Sequence, residues 1–142
     1  MRRQIAIASV LCSCSAFGEQ GSIIGNWAGG DRAAESIYGT LTISKSLISW
    51  GGAHTSSPTC KASYLVEHEE LGVKFKDQTG NTYVTSADSK FQTYLVRIKS
   101  SNCVGGVSHM RLTLREDLAG YLAVVTYDDS NRPTGWIHFF KR

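Results

Sequence analysis

The 142-residue chain is poor in proline, with two, and in cysteine, with four, and it contains no long apolar run. Its most hydrophobic stretch, Ile5-Ala6-Ile7-Ala8-Ser9-Val10-Leu11, falls far short of the roughly 20 residues that a helix needs to cross a bilayer. No basic run exists, and Arg2 and Arg3 belong to the leader. Setting those two aside takes the 15 Lys and Arg to 13, against 12 Asp and Glu. Nucleic-acid binding needs cations gathered on one surface, so it is not expected here. No glycine loop ending in Lys-Ser or Lys-Thr cradles a phosphate. There is no internal repeat, no low-complexity segment and no window of helical period long enough to name a helix. What is there, 42% hydrophobic and 19% charged residues, is the composition of a folded chain. Its length fits one domain with one core.

The N-terminus has the anatomy of a secretory signal: a cationic Met1-Arg2-Arg3-Gln4, the short apolar run, then the small residues Cys12-Ser13-Cys14-Ser15-Ala16. The surroundings of Arg2-Arg3 lack the rest of a twin-arginine pattern, so the general secretion route is expected. Leu11-Cys12-Ser13-Cys14 resembles the bacterial lipobox, with Leu three residues before a Cys and a small residue directly before it. That resemblance implies that Cys14 is diacylated and begins the mature chain, touching the membrane only through its lipid. The alternative is ordinary cleavage after Ala16, which would release the protein into the periplasm. Residues 1–16 are thus read as an export signal, 17–21 as a polar tether and 22–142 as the folded domain. Cys60 and Cys103 remain in the body, and an even pair in an exported chain reads as a disulfide. Closing that loop would stabilise the fold by about 4 kcal/mol on chain-entropy grounds.

Beyond the tether, apolar and polar residues alternate with the period of a half-buried strand. Ile37, Gly39, Leu41 and Ile43 alternate with Tyr38, Thr40, Thr42 and Ser44; Tyr94, Val96 and Ile98 with Thr93, Arg97 and Lys99; Met110, Leu112 and Leu114 with Arg111, Thr113 and Arg115. Turn residues separate such runs. Strands are predicted over 22–28, 36–44, 47–51, 60–66, 71–76, 81–85, 91–99, 107–115 and 119–127, with one more over 134–141. The expected fold class is all-β, a single small antiparallel barrel or sandwich of about 8–10 strands. Leu118–Val125 and Trp136–Phe140 are apolar at nearly every position. They read as central strands covered on both faces, or else as an apolar strip offered to a partner.

Ile24-Gly25-Asn26-Trp27, at the start of the first strand, resembles the Gly-x-Trp element that opens the barrel of lipocalins and related calycins. The resemblance implies an eight-stranded barrel closed at one end by Trp27, with Arg142, the only Arg close to the last strand, packed across it. It also implies an interior that carries a small apolar ligand. The family's Thr-Asp-Tyr motif is absent, and Thr126-Tyr127-Asp128 holds those residues in another order.

Chemistry-bearing motifs are scarce. Gly106-Val107-Ser108-His109-Met110 lacks the second glycine of a nucleophile elbow and enters a strand, so Ser108 and His109 read as strand-edge residues. His54, His68, His109 and His138 stand apart from one another. Glu67-His68-Glu69-Glu70 reads as a solvated hairpin end, and Asp128-Asp129-Ser130-Asn131 as a turn, not a calcium loop. No catalytic set, metal site or cofactor is expected. The longest polar connection runs from Trp50 to Cys60, and a tethered loop on a rigid β scaffold suits recognition. Trp50 and His54 are its candidate partner contacts. The expected function is that of a non-enzymatic envelope binding module, an inhibitor or immunity-type protein acting on a protein partner. A lipocalin-like carrier is the alternative.

Overall fold

The computed structural model describes residues 23–52, 54–56, 58–88, 91–101, 106–115 and 120–142. In chain order its elements are β1 (Gly25–Gly29), α1 (Arg32–Ile37), β2 (Thr40–Ile43), β3 (Leu47–Trp50), β4 (Cys60–Glu67), β5 (Lys74–Lys76), β6 (Thr82–Val84), β7 (Ala87–Asp88), β8 (Phe91–Ser101), β9 (His109–Arg115), β10 (Tyr121–Tyr127) and β11 (Pro133–Lys141). Strands β1 to β4 form one antiparallel meander and β8 to β11 a second. Antiparallel pairs β1–β11 and β4–β8 join the two, so eight strands close on themselves. The fold is an all-β antiparallel barrel, an architecture that leaves no open sheet edge in its wall.

Alternation decides what faces inward. Leu41 and Ile43 on β2, Ile48 and Trp50 on β3, Met110, Leu112 and Leu114 on β9 and Leu122 and Val124 on β10 all enter one core. Trp27, Ile48, Val96, Leu112, Leu122 and Phe139 are each at most 1% exposed. A void that admitted water would leave its walls wet, so these side chains border none, and the interior around them is solid. Both mouths are plugged. At the β1 start, Trp27 Nε1 donates to the Ile23 carbonyl (2.9 Å), and Ile23 is completely buried. At the opposite mouth, α1 inserts Ala34, and Tyr38 packs on Trp50 and Phe139 with ring centroids 6.3 and 6.1 Å away.

Helix α1 overturns part of the strand predicted over 36–44. Asp31 caps it, accepting from Ala34 N (2.8 Å), and Gly39 ends it in the left-handed region at φ +61. A helix this short leaves no periodic trace, and the alternation is real only from Thr40 onward. The two-residue β7 was also not predicted. Otherwise the strand limits agree with the sequence to within three residues.

Cys60 is buried and disulfide-bonded, next to the Ala62–Ser101 register of the β4–β8 seam. Its expected partner Cys103, like Cys14 and the export signal, lies outside the described residues. Between β4 and β8 the chain inserts a hairpin, β5–β6, which pairs only with itself. It lies against the outer wall, where Tyr127 Oη donates to the Lys76 carbonyl (3.0 Å). Strand β10 is accordingly buried on both faces from Leu122 to Tyr127, whereas β11 leaves Phe140 46% exposed.

Candidate functional site

With the interior filled, the chemistry of this molecule lies on its outer wall, where the hairpin docks. Arg111 on β9 is the centre of the contact. Its guanidinium lies over the rings of Phe75 (5.0 Å) and Tyr127 (5.3 Å) and pairs with Glu69 (Nη2–Oε1 2.5 Å). Burial disfavours that cation, but the Glu69 carboxylate and the Tyr127 hydroxyl more than offset it and hold its pKa above the ordinary arginine value. A second rung, Arg97 with Glu67 in a bidentate pair at 3.0 and 3.1 Å, is more open to water. Phe75 stacks on Tyr83 across the hairpin (5.4 Å), so one hairpin face is aromatic and turned to the barrel. Between hairpin and wall runs an open groove of about 710 Å³, bordered by Phe75, Asp77, Arg111, Tyr127, Asn131 and Pro133. A smaller hollow of about 210 Å³ continues past Gln78 to α1.

The hairpin tip is organised by one carboxylate. Asp77 Oδ1 accepts from Thr79 N and Oγ1 (both 2.8 Å) and Asn81 N (3.0 Å), and Oδ2 accepts from Asn81 Nδ2 and Tyr83 Oη (both 3.0 Å). Burial alone would raise its pKa, but these donors overcome that and lower it to about 2. Gly80, at φ +89, makes the turn itself. The face turned away from the barrel carries Lys74 opposite Val84 and Lys76 opposite Thr82, all exposed.

Ser108, His109 and Asn131 do come together in space. His109 Nε2 lies 2.9 Å from Asn131 Oδ1 and Nδ1 lies 2.7 Å from the Ser108 hydroxyl, which donates to the Asp128 carbonyl (2.9 Å). The imidazole is 6% exposed and stacks flat on Tyr127 at 4.8 Å. Burial lowers its pKa, with Arg97 and Arg111 pushing the same way against the hydrogen bond to Asn131. This series of hydroxyl, imidazole and amide fastens the β10–β11 turn to the start of β9. Asp128 closes the same turn, accepting from Ser130 N, Arg132 N and Arg132 Nε. Among the described residues no group of three His, Cys, Asp or Glu could hold a metal ion.

Sequence reasoning placed Trp50 and His54 on one recognition surface, and the structure separates them. Trp50 follows Ile48 on the inward face of β3 and belongs to the core, whereas His54 is exposed at φ +70. Trp27 sits at the closed mouth, but the cation over its ring is Lys141 Nζ (5.5 Å), not Arg142. Arg142 contributes its backbone N–H to the Asn26 carbonyl (3.0 Å). His68 is exposed while its neighbours Glu67 and Glu69 pair with arginines. His138 accepts or donates at Nδ1 with the Tyr121 hydroxyl and lies edge-on to Trp136, in a half-buried aromatic strip on β10 and β11. The docked hairpin escaped sequence reasoning, though Phe75 and Tyr83 alternating with lysine, threonine and valine was a signal for it. Compared with protein-family models, curated proteins and solved structures, the chain matches none.

Proposed function

We propose that this protein is a non-enzymatic, exported envelope binding module that engages another protein through its outer surface, as an inhibitor or immunity-type protein does. The observation that carries the reading is the filled barrel. A lipocalin-like carrier of a drug-sized ligand needs a hollow of roughly 300 Å³ or more inside its barrel. Here Trp27, Leu112 and Leu122 at 0% exposure occupy the space such a ligand would take. A solid, disulfide-bonded scaffold suits the other task, because a rigid surface loses little entropy when it binds. The domain is held to a membrane by lipid on Cys14, or is free in the periplasm after cleavage following Ala16. Native mass spectrometry of the protein from its own envelope fraction, then the denatured mass, tests this. A second polypeptide in fixed stoichiometry is the expected result. A small molecule released on denaturation would overturn it in favour of the lipocalin-like carrier.

A further inference from the structure

We propose that the outward face and tip of the β5–β6 hairpin are the partner-reading element, built to enter a carboxylate-lined cleft of another protein. The inference rests on the binding-module reading above and goes further by naming the surface and the chemistry it reads. Three independent observations carry it.

The barrel does not need the hairpin. Strand β4 pairs directly with β8, so the wall is closed without the residues between them. Segments laid on a finished scaffold are where recognition is placed.

The hairpin is also rigid where it is most exposed. Five hydrogen bonds converge on Asp77, and the base is held through Lys76 to Tyr127 and through Thr85, whose hydroxyl donates to the Glu70 carbonyl (2.6 Å) and accepts from Val73 N (2.9 Å). Gln78, Thr79, Gly80 and Asn81 are thereby presented to solvent in one conformation. A tip ordered in advance loses little entropy on docking, the property that makes a loop a good inhibitor.

Finally, its free face carries both apolar area and charge of one sign. Of the seven exposed large hydrophobics among the described residues, three fall between Leu71 and Val84: Val84 (43%) on the outward strand face, Leu71 (67%) just before the hairpin, and Val73 (37%) at the edge of the groove. Lys74 and Lys76 lie opposite Val84 and Thr82 on the outward strand face, and the one carboxylate between Leu71 and Val84, Asp77, is 2% exposed and committed to its own turn, with the exposed Glu70 lying before the hairpin begins. The surface shown to a partner is therefore cationic with an apolar margin, and its complement is a protein cleft bearing Asp and Glu side chains. Two lysines are too few to hold an anionic membrane or a nucleic acid.

The test uses the partner identified by mass spectrometry and then purified, with affinity measured against the whole protein. Lys74→Glu with Lys76→Glu should weaken binding about 30-fold or more, and Leu71→Ser with Val84→Ser about tenfold. Lys99→Glu, an exposed lysine elsewhere on the wall, should change it by no more than about threefold. Wild-type affinity should fall as salt rises. Replacing cleft carboxylates of the partner by Lys should restore binding to the Lys74→Glu, Lys76→Glu protein. All substituted positions are exposed, so near-ultraviolet circular dichroism should be unchanged. Equal affinity of the hairpin variants and wild type would overturn the hairpin proposal and leave the binding-module reading standing. A failure of any protein to co-purify would remove both. A wild-type dimer lost in the lysine variant would assign the face to a second copy of this chain and overturn the proposal. Adsorption to phosphatidylcholine–phosphatidylglycerol vesicles, lost in the lysine variant while partner affinity is unchanged, would overturn it in favour of a membrane.

Discussion

Replacing Asp77 by Asn should destabilise the protein by about 2 kcal/mol at neutral pH and by much less near pH 2. The Asp77 carboxyl is depressed from 3.8 to about 2, burial being overcome by the donors of Thr79, Asn81 and Tyr83. A folded-state pKa below the unfolded one stabilises wherever the group is ionised in both states. The contribution is therefore complete above pH 3.8 and is lost as the pH falls through 2. Each unit of difference is worth 1.36 kcal/mol, which gives about 2 kcal/mol once some screening by water at this surface turn is allowed for. Asparagine keeps the size of the side chain but must direct an NH2 group at donors. In one orientation it meets Asn81 Nδ2 and Tyr83 Oη, and in the other the Thr79 and Asn81 amides. Two or more charge-assisted hydrogen bonds are lost either way. Urea unfolding of both proteins at pH 7 and pH 2 measures the effect, with hydrogen exchange at the Thr79 and Asn81 amides as a local readout. A difference below about 0.5 kcal/mol at pH 7, or one of equal size at both pH values, would refute the argument.

Three further expectations follow from other parts of the molecule. Leu122→Ala, at a completely buried position, should cost about 3 kcal/mol by opening a cavity, measured by thermal or urea unfolding. Burial holds the His109 pKa below its ordinary 6.5, so the unfolded chain binds more protons and stability should fall as the pH drops through 6.5. His109→Gln should flatten that acid slope, which unfolding at pH 7.5 and pH 5 would show. Reduction of the Cys60 disulfide should lower stability by about 4 kcal/mol if its loop closes at Cys103, and peptide mapping of the unreduced protein identifies that partner.

Most of the fold was legible because most strands have one wet and one dry face. Thr40 and Thr42 against Leu41 and Ile43, and Arg111 against Met110 and Leu112, report their own orientation. Strand β10 hid that signal, since Ala123, Val125 and Tyr127 are covered from outside as well, and its continuous hydrophobicity reads correctly only as a strand buried twice. The polar loop that follows Trp50 suggests a surface position for it, while its register with Ile48 turns it in. The alternation of Phe75 and Tyr83 with polar residues marks a hairpin with one dry face, but not the wall it docks on. Arg111, Phe75 and Glu69 meet across β-strand connections that no local pattern encodes. Barrel over sandwich was equally hidden, because it depends on which distant strands pair.

The β1–β11 pairing has a consequence for how the chain must fold. Strand β1 lies between β2 and β11, so a chain emerging from its N-terminus leaves one edge of β1 unpaired until residues 133–141 have followed. Closure thus depends on contacts between residues more than a hundred positions apart, the kind that forms slowly and leaves strand edges open to aggregation meanwhile. Premature closure of the barrel is correspondingly hard, because the last strand to be made is the one that completes the wall.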